Sequence, residues 1–148
     1  MASRHLALLF VTIGASLAFS ATSPSAAESS PRENVIEFST RPKSKNGLVV
    51  CALFAEAGWL TKPVKPAWAK IGTRGALCRF EGVRPGVYGI SAYHDENANG
   101  KLDTNVLGMP TEDYGASRDA RGTFGPPRFE DAKFDYRGGT LKLSAKLE

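Results

Sequence analysis

Between His94 and Asn105, oxygen-bearing side chains stand at every second position: Asp95, Asn97 and Asn99, followed by Gly100 and then Asp103. A hard cation such as calcium takes about six to eight oxygens, and a loop curling round it turns alternate side chains inward. A glycine after the third of them makes a sharp turn that a Cβ would hinder. The pattern D-x-N-x-N-G-x-x-D covers the first part of an EF-hand-type calcium loop. Asp95, Asn97, Asn99 and Asp103 are the expected side-chain ligands, and Lys101 offers its carbonyl. Val106 stands where the bidentate glutamate belongs, so Glu112 or Asp113 would have to fold back to supply that carboxylate. With few carboxylates the expected calcium affinity is of extracellular grade, about 10⁻⁴–10⁻³ M. The competing reading is an ordinary Asx-rich turn, because Asn and Asp side chains also bond their own backbone.

A second chemistry is conceivable around the same stretch. His94 with Asp95, Glu112 or Asp119, and with Ser117, has the residue types of a hydrolase-like acid–base set. Adjacent strand residues point to opposite faces, however, so His94 and Asp95 do not converge automatically. The chain also lacks G-x-S-x-G, H-E-x-x-H and a glycine-rich phosphate loop. No catalytic residue is assigned on this basis. His94, Tyr114 and Ser117 are expected to brace the loop or touch a ligand. Trp59, Tyr93 and Tyr114 are candidates for glycan or peptide contact; the alternative for Trp59 and Trp68, which flank the 58–66 loop, is that they pack it onto the domain.

The 148 residues suffice for one domain, and the first 27 stand apart from it. Arg4 and His5 precede an apolar run from Leu6 to Phe19, and Ser25-Ala26-Ala27 offers small residues for cleavage. This is the layout of a secretory signal peptide over 1–27, the apolar run being shorter than the ~20 residues a bilayer span needs. An uncleaved anchor is the alternative. The expectation is a periplasmic or secreted protein with no membrane span after cleavage, a flexible leader over 28–34 and a domain over 35–148. Cleavage would take the net charge from +4 to +3. Lys and Arg are scattered, so no nucleic-acid partner is expected. The expected partner is a protein or glycan of the cell envelope, met by a monomer. Cys51 and Cys78 are an even pair in an exported chain, which favours a disulfide over two buried thiols.

Short strands must position these residues. Val35–Thr40, Gly47–Glu56, Ala67–Ile71, Ala76–Phe80, Val87–Tyr93, Phe129–Tyr136 and Thr140–Leu147 have strand-like composition or period-2 alternation. Cys78 and Cys51 each fall on the apolar face of their strand. Asn46-Gly47 is a hairpin signal. Pro85-Gly86 is a type II turn signal with positive φ at the glycine. Residues 104–127 form a long loop without helical period, expected to be ordered and functional. About seven strands with regular turns predict an all-β fold: one antiparallel β-sandwich, transthyretin- or Ig-like, carrying one long ordered loop.

Phe80-x-Gly82-Val83-x-Pro85-Gly86-x-Tyr88 resembles the strand–turn–strand of transthyretin-like and carboxypeptidase-regulatory-like sandwiches. A longer signature joins His94 to Asn97, Asn99 to Asn105, Gly108-x-Pro110, Glu112, Tyr114-Gly115, Ser117, Phe124 to Pro127, Phe129 and Ala132. It resembles the exported bacterial domain-of-unknown-function family 2141 from about Val35 to Leu147. Met109, Asp113 and Ala116 depart from the usual wording without touching the expected ligands. The family has no assigned activity, so the resemblance implies export and a small β domain and no reaction.

Overall fold

The computed structural model describes residues 33–148; the expected signal peptide and most of the leader lie outside them. Strand β1 (Val35–Thr40) pairs antiparallel with β4 (Ala76–Glu81) and parallel with β8 (Thr140–Ala145) in a three-stranded sheet. The facing sheet runs β3 (Lys65–Lys70), β2 (Leu48–Phe54), β5 (Gly86–Asp95), β6 (Tyr114–Ala116), with β7 (Phe134–Tyr136) also on β5. The expected all-β sandwich is what forms, with eight strands and one parallel pairing. Among the described residues no helix is long and apolar enough to cross a membrane.

Alternation explains the core. Ile36, Phe38 and Thr40 of β1, Val49, Cys51 and Leu53 of β2, and Ala76, Cys78 and Phe80 of β4 are buried at every second position. Ile90, Ala92 and His94 of β5 continue the inward row. Burying each large aliphatic or aromatic side chain contributes roughly 1.5–3 kcal/mol. Cys51 and Cys78 form a disulfide across the two sheets with Cα atoms 6.4 Å apart, both sulfurs inside this core.

Four local expectations are corrected. Asn46-Gly47 closes no hairpin, because β1 and β2 belong to different sheets and the segment between them crosses the sandwich. The positive φ before β5 belongs to Gly82, while Gly86 already pairs with Tyr136 as the first residue of β5. The segment after Arg128 begins as a short helix, α1 (Phe129–Ala132), before β7. Phe129 and Ala132 are buried at the i, i+3 spacing of a helix, and Arg128–Asp131 and Lys133–Glu130 form i, i+3 ion pairs beside them. Trp68 does not anchor a loop. It projects from edge strand β3 between the buried Ala67 and Ala69 and is 64% exposed.

Trp59 does anchor one. Its ring packs edge-on against Phe54 and Phe129, and its Nε1 donates to the Pro127 carbonyl at 2.7 Å. The ring lies over Gly89 so closely that a Cβ there would come within 2.7 Å of it. One side chain thus fixes the chain around Pro127 to the middle of β5.

Candidate functional site

β5 runs two residues further than the alternation of Val87–Tyr93 suggests and carries both His94 and Asp95 into full burial. His94 Nε2 bonds the Asn46 carbonyl at 2.7 Å, which requires Nε2 to donate. Its Nδ1 lies 3.5 Å from a Glu96 carboxylate oxygen. Gly47, at φ 66°, packs so tightly beneath that its missing Cβ would fall 1.9 Å from the Asp95 carbonyl oxygen. The Asn46-Gly47 step therefore serves as a floor under the acidic loop.

Asp95 organises the loop through its carboxylate. Oδ1 accepts the Asn99 N–H at 3.0 Å and Oδ2 the Gly100 N–H at 2.7 Å. Asn97 Oδ1 accepts the Asn99 N–H and Asn99 Oδ1 the Lys101 N–H, giving two Asx turns in succession. Both amide Nδ2 groups then donate to the Asp103 carboxylate, at 2.7 Å from Asn97 and 3.0 Å from Asn99. Asn97, Asn99 and Asp103 thus meet at one centre, with Asp95 at its base. Among the described residues no group of three or more His, Cys, Asp or Glu converges closely enough to hold a metal ion. A cation at this centre would rest on Asp95, Asp103, the two Asn amides and carbonyls such as that of Lys101. The amides would have to turn their oxygens inward, exchanging their bonds to Asp103 for cation contacts.

Glu112 does fold back on the loop, but both oxygens accept backbone N–H groups, Glu96 and Asp103, each at 3.0 Å. Asp113 turns away to an ion pair with Lys43 at 2.7 Å. Glu112 therefore clasps the two ends of the loop, and Val106 stands fully exposed away from it. Burial first, then the Asp95 and Glu112 carboxylates, hold the Tyr93 phenol above its ordinary value. The negative field of the loop is thus felt on the outer face of β5.

Ser117 and Asp119 do not join His94. Ser117 is fully buried, takes the Ile90 N–H at 2.9 Å and donates to the Ala132 carbonyl at 2.5 Å. Ile90 is four residues along β5 from His94, ~13 Å at strand rise. Asp119 accepts the Lys146 N–H at 2.8 Å. Arg118 and Asp119 both hold positive φ, 64° and 53°, a strained pair fixed by that bond and by an Arg118 guanidinium bond to the Lys133 carbonyl. Ser117 is a brace between β5 and α1. Ser117→Ala should lower the unfolding free energy by about 2 kcal/mol, since it strands a buried donor and a buried acceptor. Urea unfolding reads this, and a change within ~0.5 kcal/mol, the size of an ordinary surface substitution, would contradict the brace.

The long loop after Asp103 is a built element. Thr104 bridges Pro110, the Thr111 N–H reaches the Asp103 carbonyl, and Asn105 Oδ1 accepts the Leu107 and Met109 N–H groups. The result is a small arm whose tip exposes Val106, Leu107 and Met109. The Asx signal at Asn105 was in the sequence; its use as an arm corner was not. Opposite stands Phe124, fully exposed, on the segment that Trp59 holds at Pro127. Between arm and segment lies a cleft of about 680 Å³, floored by Ser91, Tyr93 and Tyr114 on the outward face of β5 and β6. Tyr114 thus lies at the cleft, whereas Trp59 contributes only through the wall it anchors.

The family model described as "Uncharacterized protein conserved in bacteria (DUF2141)" matches residues 40–144. The chain belongs to that family. The matched range spans the acidic loop, the arm and both walls of the cleft. No curated protein and no solved structure matches the chain.

Proposed function

We propose that this DUF2141 domain is an exported, non-catalytic binding module whose Asp95–Asp103 loop takes calcium and thereby sets the arm that walls the cleft. One observation carries the reading: Asn97, Asn99 and Asp103 meet at a single centre, and the arm begins at Asp103. A cation drawn to that centre pulls directly on the arm's first residue. The cleft then presents a set surface to a protein or glycan of the cell envelope. Export is supported by the basic–apolar–small order of residues 1–27 and is compatible with the Cys51–Cys78 disulfide.

Calorimetric titration of the chelator-stripped protein with calcium should give one saturable site with Kd of about 10⁻⁴–10⁻³ M. Asp95→Ala and Asp103→Ala should abolish it. At a free concentration near 100 times Kd, binding adds about 2.7 kcal/mol to stability, and cleavage within 104–112 by protease should slow in parallel. A flat titration with unchanged melting and unchanged proteolysis would refute the calcium reading.

A further inference from the structure

Lys and Arg are scattered along the chain, but the fold gathers some of them. From Phe38 to Phe80 the only acid is Glu56, against eight Lys and Arg. Two connections within this stretch meet at one end of the sandwich, 41–47 between β1 and β2 and 71–75 between β3 and β4. The pairing of Thr40 with Ala76 sets Arg41 beside Gly75. A Cβ on Gly75 would fall 2.2 Å from the Thr40 carbonyl oxygen and 3.4 Å from the Arg41 Cα, so the two connections touch. The pairing of Leu48 with Lys70 brings the end of β3 to the start of β2, just after Lys45.

Arg41, Lys45, Lys70 and Arg74 are all exposed, and among the described residues none of them forms an ion pair. Lys43 and Ser44 instead reach toward the acidic loop and its base, bonding Asp113 and Glu96. They form the border between those carboxylates and the four unpaired cations. A patch of one sign draws opposite charge to itself. Trp68 stands at the same edge, exposed on the outward face of β3 two residues before Lys70. Val64 and Pro66 continue the exposed row, and β3 is the rim strand of its sheet.

We propose that this corner of the sandwich docks peripherally on an anionic phospholipid bilayer. Arg41, Lys45, Lys70 and Arg74 meet the headgroup phosphates, and the Trp68 indole enters the headgroup layer, which suits its apolar body and polar N–H. A fluid anionic surface asks for no directional pairing and responds to every cation brought within a Debye length. Single-stranded nucleic acid is served less well, because its binders line a basic groove with several stacking aromatics. Here a single exposed aromatic stands beside cations drawn from two separate connections. The carboxylates beyond Lys43 are repelled by such a surface, so the β3–β4 edge approaches first. The inference depends neither on calcium nor on the cleft.

The test is sedimentation with phosphatidylglycerol vesicles, in chelator and at low salt. It uses the chain without residues 1–27, whose apolar run would bind lipid by itself. The protein should pellet with these vesicles, remain in solution with phosphatidylcholine, and be released in about 1 M salt, where the Debye length falls to ~3 Å. Lys70→Gln and Arg74→Gln should each weaken partitioning about fivefold, the worth of one cation at an anionic surface, and together about 25-fold. Arg137→Gln, exposed at the opposite end of the sandwich beside the start of β5, should leave it unchanged. Tryptophan emission should shift to the blue on binding, a shift absent from Trp68→Phe. Failure to pellet with phosphatidylglycerol overturns the inference, as does partitioning that the Lys70→Gln, Arg74→Gln double variant leaves intact. Binding of heparin or single-stranded DNA without vesicle binding would overturn it too, assigning the cations to a soluble polyanion.

Discussion

Replacing Cys51 and Cys78 together by alanine lowers the unfolding free energy by about 3 kcal/mol, most of it through the unfolded chain. The bridge closes a loop of sequence separation 27, and cross-linking of that span removes loop entropy worth about 3–4 kcal/mol. Both residues are fully buried, so the loss of two sulfurs adds a small packing defect. The location makes the effect global: Cys51 belongs to the sheet that carries the candidate site, and Cys78 to the sheet behind it. For a domain of this size the midpoint of thermal unfolding should fall by about 10–15 °C. Wild type treated with a reductant should match the double variant in guanidinium unfolding. Equal midpoints for oxidised, reduced and substituted protein would show that the bridge adds nothing.

Gly47→Ala should cost as much or more, about 3–5 kcal/mol, and for a different reason. At φ 66° an alanine already bears the left-handed penalty of roughly 1–2 kcal/mol. Its Cβ would also meet backbone, the Asp95 carbonyl oxygen at 1.9 Å and the Glu96 carbonyl carbon at 2.8 Å, neither of which can rotate away. Relief requires the 41–47 segment to lift from the end of β5, which breaks the Asn46–His94 hydrogen bond inside the protein. Gly100→Ala is the matched comparison. Gly100 has φ 78° but open space around its missing Cβ, so only the conformational penalty, about 1–2 kcal/mol, applies. Denaturant unfolding of the two variants separates these contributions. Equal losses would mean the contact beneath Asp95 does not constrain position 47.

Both predictions bear on the candidate site, because its rigidity is borrowed. Asp95 holds Asn99 and Gly100, Glu112 clasps Glu96 and Asp103, and the whole stands on Gly47 and His94. None of those supports is adjacent in sequence to what it supports except His94 to Asp95.

Residues 94–105 were legible on their own, because Asx spacing is a local property: each side chain bonds backbone two to five residues away. Period-2 alternation marked the core face of β4 and, with the shared face of Val49, Cys51 and Leu53 in β2, put both cysteines inward, since strand side chains alternate whatever the strand pairs with. Export is read from residue type alone, whereas the calcium reading rests also on the meeting of Asn97, Asn99 and Asp103.

The tertiary structure decided everything that depends on which sheet a strand joins. Asn46-Gly47 has hairpin composition, yet the chain crosses the sandwich there, and the glycine is needed for close approach to Asp95. Phe129 to Tyr136 has enough aromatic residues for a strand, yet Phe129 and Ala132 pack by helical spacing against Trp59 and its alanine neighbours. Ser117 has the type of a nucleophile and the position of a brace. The cleft has no sequence signal at all, for its walls come from segments around residues 107 and 124, and contacts such as the Trp59 anchor and the Asp103–Thr111 bond set them face to face. Local chemistry is written in spacing; a surface assembled from distant segments is written in packing, and no short window of sequence contains it.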